Sequence, residues 1–245
     1  MEPYKNNLND IIDKLITDVN STFMKLLAAF TMYQLGQETL CQIKDQVTIS
    51  PKVGTNLNIE PIPIGDIKKF RADYPYFISE VFHGKLVHLW NNCLDDIFSL
   101  FIDLHFIGKR KFEELKKQDI KLDFCSNQGF YDQIKDRIID GFSLREYSER
   151  QKLINKILNP NDEGREELAN IFKSVLIRNI IQHRNNIVDS YILKRLGSSQ
   201  IEILGMDGNP KIYKENDKIL LSIPEIYSFK SSMFIIGQIW RVKDE

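Results

Sequence analysis

Residues 170–197 read NIFKSVLIRNIIQHRNNIVDSYILKRLG. No Gly or Pro interrupts the run before Gly197, and Gly at such a position is a helix stop signal. The spacing predicts one long helix, about 40 Å from end to end. At roughly 100° per residue, Phe172, Leu176, Ile177, Ile180, Ile181, Ile187, Val188, Tyr191 and Ile192 cover one broad side. Arg178, Gln182, Asn186, Asn179 and His183 fall within about 140° on the other side, where Val175 is the apolar exception. A solvated helix face is ordinarily Glu, Lys and Gln. Asn is a mediocre helix former, so something besides helix stability accounts for the two here. Arginine brings a permanent charge with forked donors suited to phosphate, and histidine is the side chain that ordinarily titrates near physiological pH. Together they are a kit for attack on a phosphodiester that needs no metal. The plainer reading of the same residues is a bundle helix whose Arg and His pair with neighbouring helices.

The run Arg178-Asn179-Ile180-Ile181-Gln182-His183 matches the Arg-x(4–6)-His pattern, with a polar residue directly after the Arg, of the HEPN superfamily (higher eukaryotes and prokaryotes nucleotide-binding). The extension RNIIQHRNNIVDSYILKRLG is similar to the HEPN-type segment, with Arg184 where one subgroup often carries Asn. The resemblance covers about residues 143–223 of the chain. It implies a mainly α fold, a HEPN-like antiparallel helical bundle with long helices. It also implies a metal-independent endoribonuclease, often a toxin or antiviral-defence effector, leaving 2′,3′-cyclic phosphate and 5′-hydroxyl ends. In that role His183 would act as general base or acid and Arg178 would stabilise charge on the phosphorane. Asn179 would orient the His or a phosphate oxygen. Gln182, Arg184 and Asn186 are the neighbouring candidates for substrate binding, and neither a metal nor a cofactor is expected. Arg178 and His183 stand about 140° apart around a helix, so one copy does not bring both to a point. A homodimer whose motif helices face each other across the 175–190 face would place four groups around one phosphate. The second reading is of another class: a non-catalytic helical module that binds RNA, nucleotide or protein within a toxin–antitoxin or defence complex.

Composition bounds both readings. The chain has 245 residues, 42% apolar and 27% charged, with a net charge of −1, so any RNA contact is local rather than general. Cys41, Cys93 and Cys125 are odd in number, with no CxxC pair, so neither a disulfide framework nor a zinc knuckle is indicated. The N-terminus has no charged-then-apolar signal pattern, and IFSLFIDLHFIG is too short and too interrupted for a membrane span. A cytoplasmic location without membrane contact follows by elimination. GxGxxG, GxxxxGK, GxSxG and HExxH are all absent.

The whole chain, residues 1–245, is expected as a single HEPN-like domain. Residues 1–140 form N-terminal helices without an assigned role, 143–223 carry the resemblance, and 224–245 form a C-terminal helix. Apolar residues from Ile11 to Leu35 predict a first helix over 7–48, with Gly36 its point of ending or kinking. Residues 49–66, with Pro51, Pro61 and Pro63, read as a long loop. A second helix is expected over 76–118 with Gly84 and Gly108 as irregularities and His83, His88 and His105 as structural or surface residues. Asp95 and Asp96 are candidates to face Arg178. FYDQIKDRIIDGF is a short helix, Ser143 and Glu146 suggest a capping box, and Asn161 or Asp162 opens the long helix. Alternation around Asp207-Gly208 predicts a small hairpin, and Pro224 opens a last helix that buries Ile226, Phe229, Met233, Ile236 and Trp240.

Overall fold

The computed structural model describes residues 2–51, 60–115 and 128–242, and of residues 2–6 only the backbone. Cys125 and most of the expected 119–130 connector lie outside the described residues. Helix α1 spans Glu2–Cys41 and is followed by strands β1 (Thr48–Ile49) and β2 (Ile62–Pro63). Then come α2 (Ile64–Asp73), α3 (Phe77–Phe106), α4 (Phe130–Ser143), α5 (Tyr147–Leu158), α6 (Arg165–His183) and α7 (Ser190–Leu196). Strands β3 (Ile201–Leu204) and β4 (Pro210–Tyr213) precede α8 (Ile223–Trp240). The described chain is mainly helical, with two small antiparallel two-stranded sheets.

Four long helices carry the core, and their directions follow from residue pairs. Asn9 meets Val242, Ile12 and Ile16 meet Gly237, and Phe23 meets Tyr227, so α1 and α8 run antiparallel. Gly164 lies against Ile236 and Ile239, and Asn170 bonds Ser228 and Ser232, so α6 is antiparallel to α8 as well. Glu80 bonds Asn186 while Gly84 lies beside Gln182, which sets α6 antiparallel to α3. Helix α3 is the axle: Leu86, Trp90, Leu94, Ile97, Phe98 and Phe101 are buried within it. Trp90 stacks on Trp240 at 5.3 Å and donates to the Tyr147 hydroxyl, while Trp240 donates to Asn155. Each indole N–H that burial would leave costly without a partner therefore has one. All five apolar residues expected to anchor the last helix are buried, and Ser222 caps it by accepting from the Glu225 N–H.

Several expectations are corrected. The stretch 170–197 is two helices. Asn185 and Asn186 adopt φ of 51° and 66°, the left-handed region that asparagine tolerates better than most residues. The backbone from Asn186 to Val188 then pairs with residues 216–219 through Val188 N–H to Asp217, Asn216 N–H to Val188 and Ile219 N–H to Asn186. Asp189 starts α7 by accepting from the Ile192 N–H at 2.8 Å. The helix thus exchanges internal bonds for a tertiary bridge. Helix α1 passes through Gly36 without ending, and α3 stops at Phe106, where Gly108 takes φ of 71°. Part of the expected 49–66 loop is the β1–β2 pairing, and α2 follows it. Ser143 ends α4 and donates to Asp95, so it caps nothing at Glu146, and α6 begins at Arg165 after left-handed Gly164, later than Asn161 or Asp162.

Candidate functional site

The last two turns of α6 carry Arg178, Asn179, Gln182 and His183. Ser174, Val175, Leu176, Ile177 and Ile180 are buried around them, so Val175 is no exception on an outer face. The polar side is turned in part toward the first half of α3. There a Cβ on Gly84 would stand 3.4 Å from the Gln182 amide nitrogen, and Asn186 donates to Glu80 Oε1 at 2.6 Å. Glycine at position 84 lets the Gln182 side chain lie close to the α3 backbone.

Arg178 is half-buried. Its guanidinium donates to Asn179 Oδ1 at 3.1 Å, and among the described residues no carboxylate pairs with it. Behind it lies His83, which is fully buried, with its ring 5.5 Å from that of Phe229 and neither ring nitrogen hydrogen-bonded. Burial, reinforced by the positive charge of Arg178, lowers the His83 pKa to about 3, so this imidazole is neutral at ordinary pH. A neutral ring adds no second charge beside the guanidinium.

His183 is the last residue of α6 and is exposed. Arg184, also exposed, reaches Asp189 at 3.1 Å and so braces the turn into α7. The structure thus brings Arg178, Gln182 and Asn186 onto one seam with α3, holds Asn179 against Arg178, and leaves His183 and Arg184 at the open end. Asn186, expected on the outer helix face, is a left-handed turn residue tied to Glu80. Asp95 and Asp96 are not part of this group. Asp95 pairs with Arg150 at 2.6 Å and Asp96 with Lys14 at 3.8 Å, about 18 Å along α3 from His83. The antiparallel register of α3 and α6 decides this, because it lays the end of α6 against the first half of α3.

Glu80 and His83 belong to the surroundings of Arg178, and sequence reasoning did not place them there. A Gly directly after a His inside a helix was the only local signal. The cleft of about 530 Å³ bounded by Glu146, Gln151, Lys152, Asn155, Phe172 and Arg195 includes neither Arg178 nor His183. The motif therefore sits on a surface rather than in that pocket. Among the described residues there is no cluster of His, Cys, Asp and Glu able to hold a metal, and no helix long and apolar enough to cross a membrane. Of the cysteines, Cys41 is exposed and Cys93 buried, both free, and burial pushes the Cys93 thiol up. Comparison with protein-family models, with curated proteins and with solved structures found no match to this chain.

Proposed function

We propose that this chain is an endoribonuclease of HEPN type, acting without a metal in a toxin-like or antiviral-defence role. The supporting observation is the half-buried Arg178, oriented by Asn179 and left without a carboxylate among the described residues, with an exposed His183 closing the same helix. A buried or half-buried arginine ordinarily has an anionic partner, and its absence suits a phosphate that arrives with the substrate. In this reading an imidazole removes the proton of the 2′-hydroxyl, and O2′ attacks the adjacent phosphorus. The P–O5′ bond breaks and the departing oxygen takes a proton. The products are a 2′,3′-cyclic phosphate and a 5′-hydroxyl. Arg178 stabilises the charge on the equatorial oxygens, and the exposed Gln182 and Arg184 would contact the flanking backbone.

His183 and Arg178 diverge around the helix, so the reading includes a homodimer. A two-fold axis beside the α6–α7 turn would let His183 of one copy act with Arg178 of the other. Exposed Ile187 and Tyr191 provide apolar surface at that face. The cytoplasm, where RNA is present, is the location this reading entails.

The alternative, a non-catalytic module within a toxin–antitoxin or defence complex, is favoured by one observation. Asn186 is bonded to Glu80 of α3 and the exposed Gln182 lies beside Gly84, as a structural seam requires. The two readings separate on one experiment. Purified chain is incubated with total RNA and end-labelled tRNA in EDTA, beside Arg178→Ala and His183→Ala. Cleavage with cyclic-phosphate ends, lost in both variants, supports the nuclease. Cleavage that survives His183→Ala removes the mechanism, and RNA or protein binding that survives both substitutions favours the module.

A further inference from the structure

Helix α1 is longer than the bundle it packs on. Its buried stripe, Leu8, Ile12, Leu15, Val19, Phe23 and Leu26, stops at Leu26, yet the helix continues to Cys41. The continuation, residues 26–42, reads LLAAFTMYQLGQETLCQ and holds a single charged side chain, Glu38. A helix left to water is ordinarily dressed in charge on its outer face, and this one is not. Roughly half a turn from the buried stripe runs a second one, Met24, Ala28, Thr31 and Leu35, in the alternating spacing of four, three and four that forms coiled-coil seams. Met24 is 63% exposed, Leu35 60% and the flanking Met32 70%. A Cβ on Gly36 would meet nothing within 4 Å.

We propose that this stripe is a self-association seam, on which a second copy of the chain lays its own α1 antiparallel. The two-fold axis passes between Ala29 and Phe30. The spacing reads the same in both directions about that point. Met24 of each copy therefore meets Leu35 of the other, and Ala28 meets Thr31, a large pair alternating with a small one. An isologous contact must also tolerate its own charges. Here Glu38 falls opposite Ser21 and Lys25 opposite Gln34, and the two Glu38 carboxylates end up about 25 Å apart along the seam, well beyond the reach of unscreened repulsion. A lipid surface is disfavoured, since anionic headgroups call for Lys and Arg that this stretch lacks. A seam with almost no charge also offers a foreign partner little to read by sign. The inference uses no residue between Arg178 and Asn186 and does not depend on the nuclease reading.

The test is sedimentation of the full chain at micromolar concentration, with circular dichroism as the control for folding. The wild-type mass should be an even multiple of the chain mass. Leu35→Lys and Ala28→Glu should each halve it without loss of helicity, because both residues are exposed. Placing Ala28→Glu and Thr31→Lys in one chain should restore the original mass, since each new carboxylate then faces an ammonium of the other copy. A monomeric wild type overturns the proposal, as does a mass unchanged by Leu35→Lys. Failure of the double variant to recover overturns the antiparallel register. A mass halved by Tyr191→Glu but not by Leu35→Lys assigns association to the α6–α7 face instead. The nuclease reading fails by a separate readout, the absence of RNA cleavage.

Discussion

Two arginines lie against α3, and they are held in opposite ways. Arg150, on α5, is 6% exposed and paired through both terminal nitrogens: its guanidinium meets Asp95 at 2.6 Å, bonds the side chain and carbonyl of Asn91, and lies over the Phe142 ring at 5.0 Å. Arg178, on α6, has one amide oxygen and a neutral, buried imidazole for company. The first is a cation whose field is cancelled locally, which makes it an element of the fold. The second keeps its charge available, which makes it a candidate for meeting phosphate. Their partners set the two arginines apart more sharply than their exposure does.

The comparison breaks most visibly in turnover. Arg178→Ala and His183→Ala should each lower RNA cleavage by about 10²–10⁴-fold, the range for lost acid–base or charge stabilisation. Their melting temperatures should stay close to wild type. Arg150→Ala should do the reverse, with cleavage retained by whatever fraction of the protein remains folded.

Next in size is an acid effect centred on His83. Its pKa is about 3 in the folded chain and near 6.5 when unfolded, so between those values only the unfolded state takes up the proton. Stability should therefore fall as pH drops from about 6.5 toward 3, by up to roughly 1.4 kcal/mol per unit from this group. His83→Leu should flatten that slope in urea melts taken at several pH values. An equal slope in the variant would show that other groups carry it.

Arg150→Ala should cost about 2–3 kcal/mol in denaturant melts. That lies below the usual cost of breaking a buried pair, because the Asp95 side chain keeps 29% of its surface in water. The smallest expected change is Asp189→Ala, which removes the α7 cap and the brace to Arg184, for about 1 kcal/mol. Cleavage should fall with it if the turn after His183 sets the histidine's position.

Local chemistry made much of this molecule readable in its sequence. The periodic apolar residues of α1, α3 and α8, the Asp207-Gly208 hairpin and the helix start at Pro224 all depend on neighbours within a few positions. The break at Asn185-Asn186 was also signalled locally, by two asparagines and a following Asp189 cap. It was hidden because Ile187, Val188 and Ile192 continue the helical spacing on either side. Helix α2 buries only Ile64, so it has no stripe to betray it. The Arg178 motif was found by its spacing, but its residues close α6 or follow it, where one unbroken helix was expected.

What the sequence determined by itself is therefore the course of the long apolar helices and the C-terminal hairpin, and the set of polar side chains that α6 carries. What only the tertiary structure decided is their company. Asp95 stands 55 positions from Arg150 and Glu80 stands 106 from Asn186, and no local pattern links such residues. The antiparallel register of α3 against α6 sets which carboxylate meets which cation. Apolar burial along the whole interface fixes that register, and the charged groups then take the partners it leaves them.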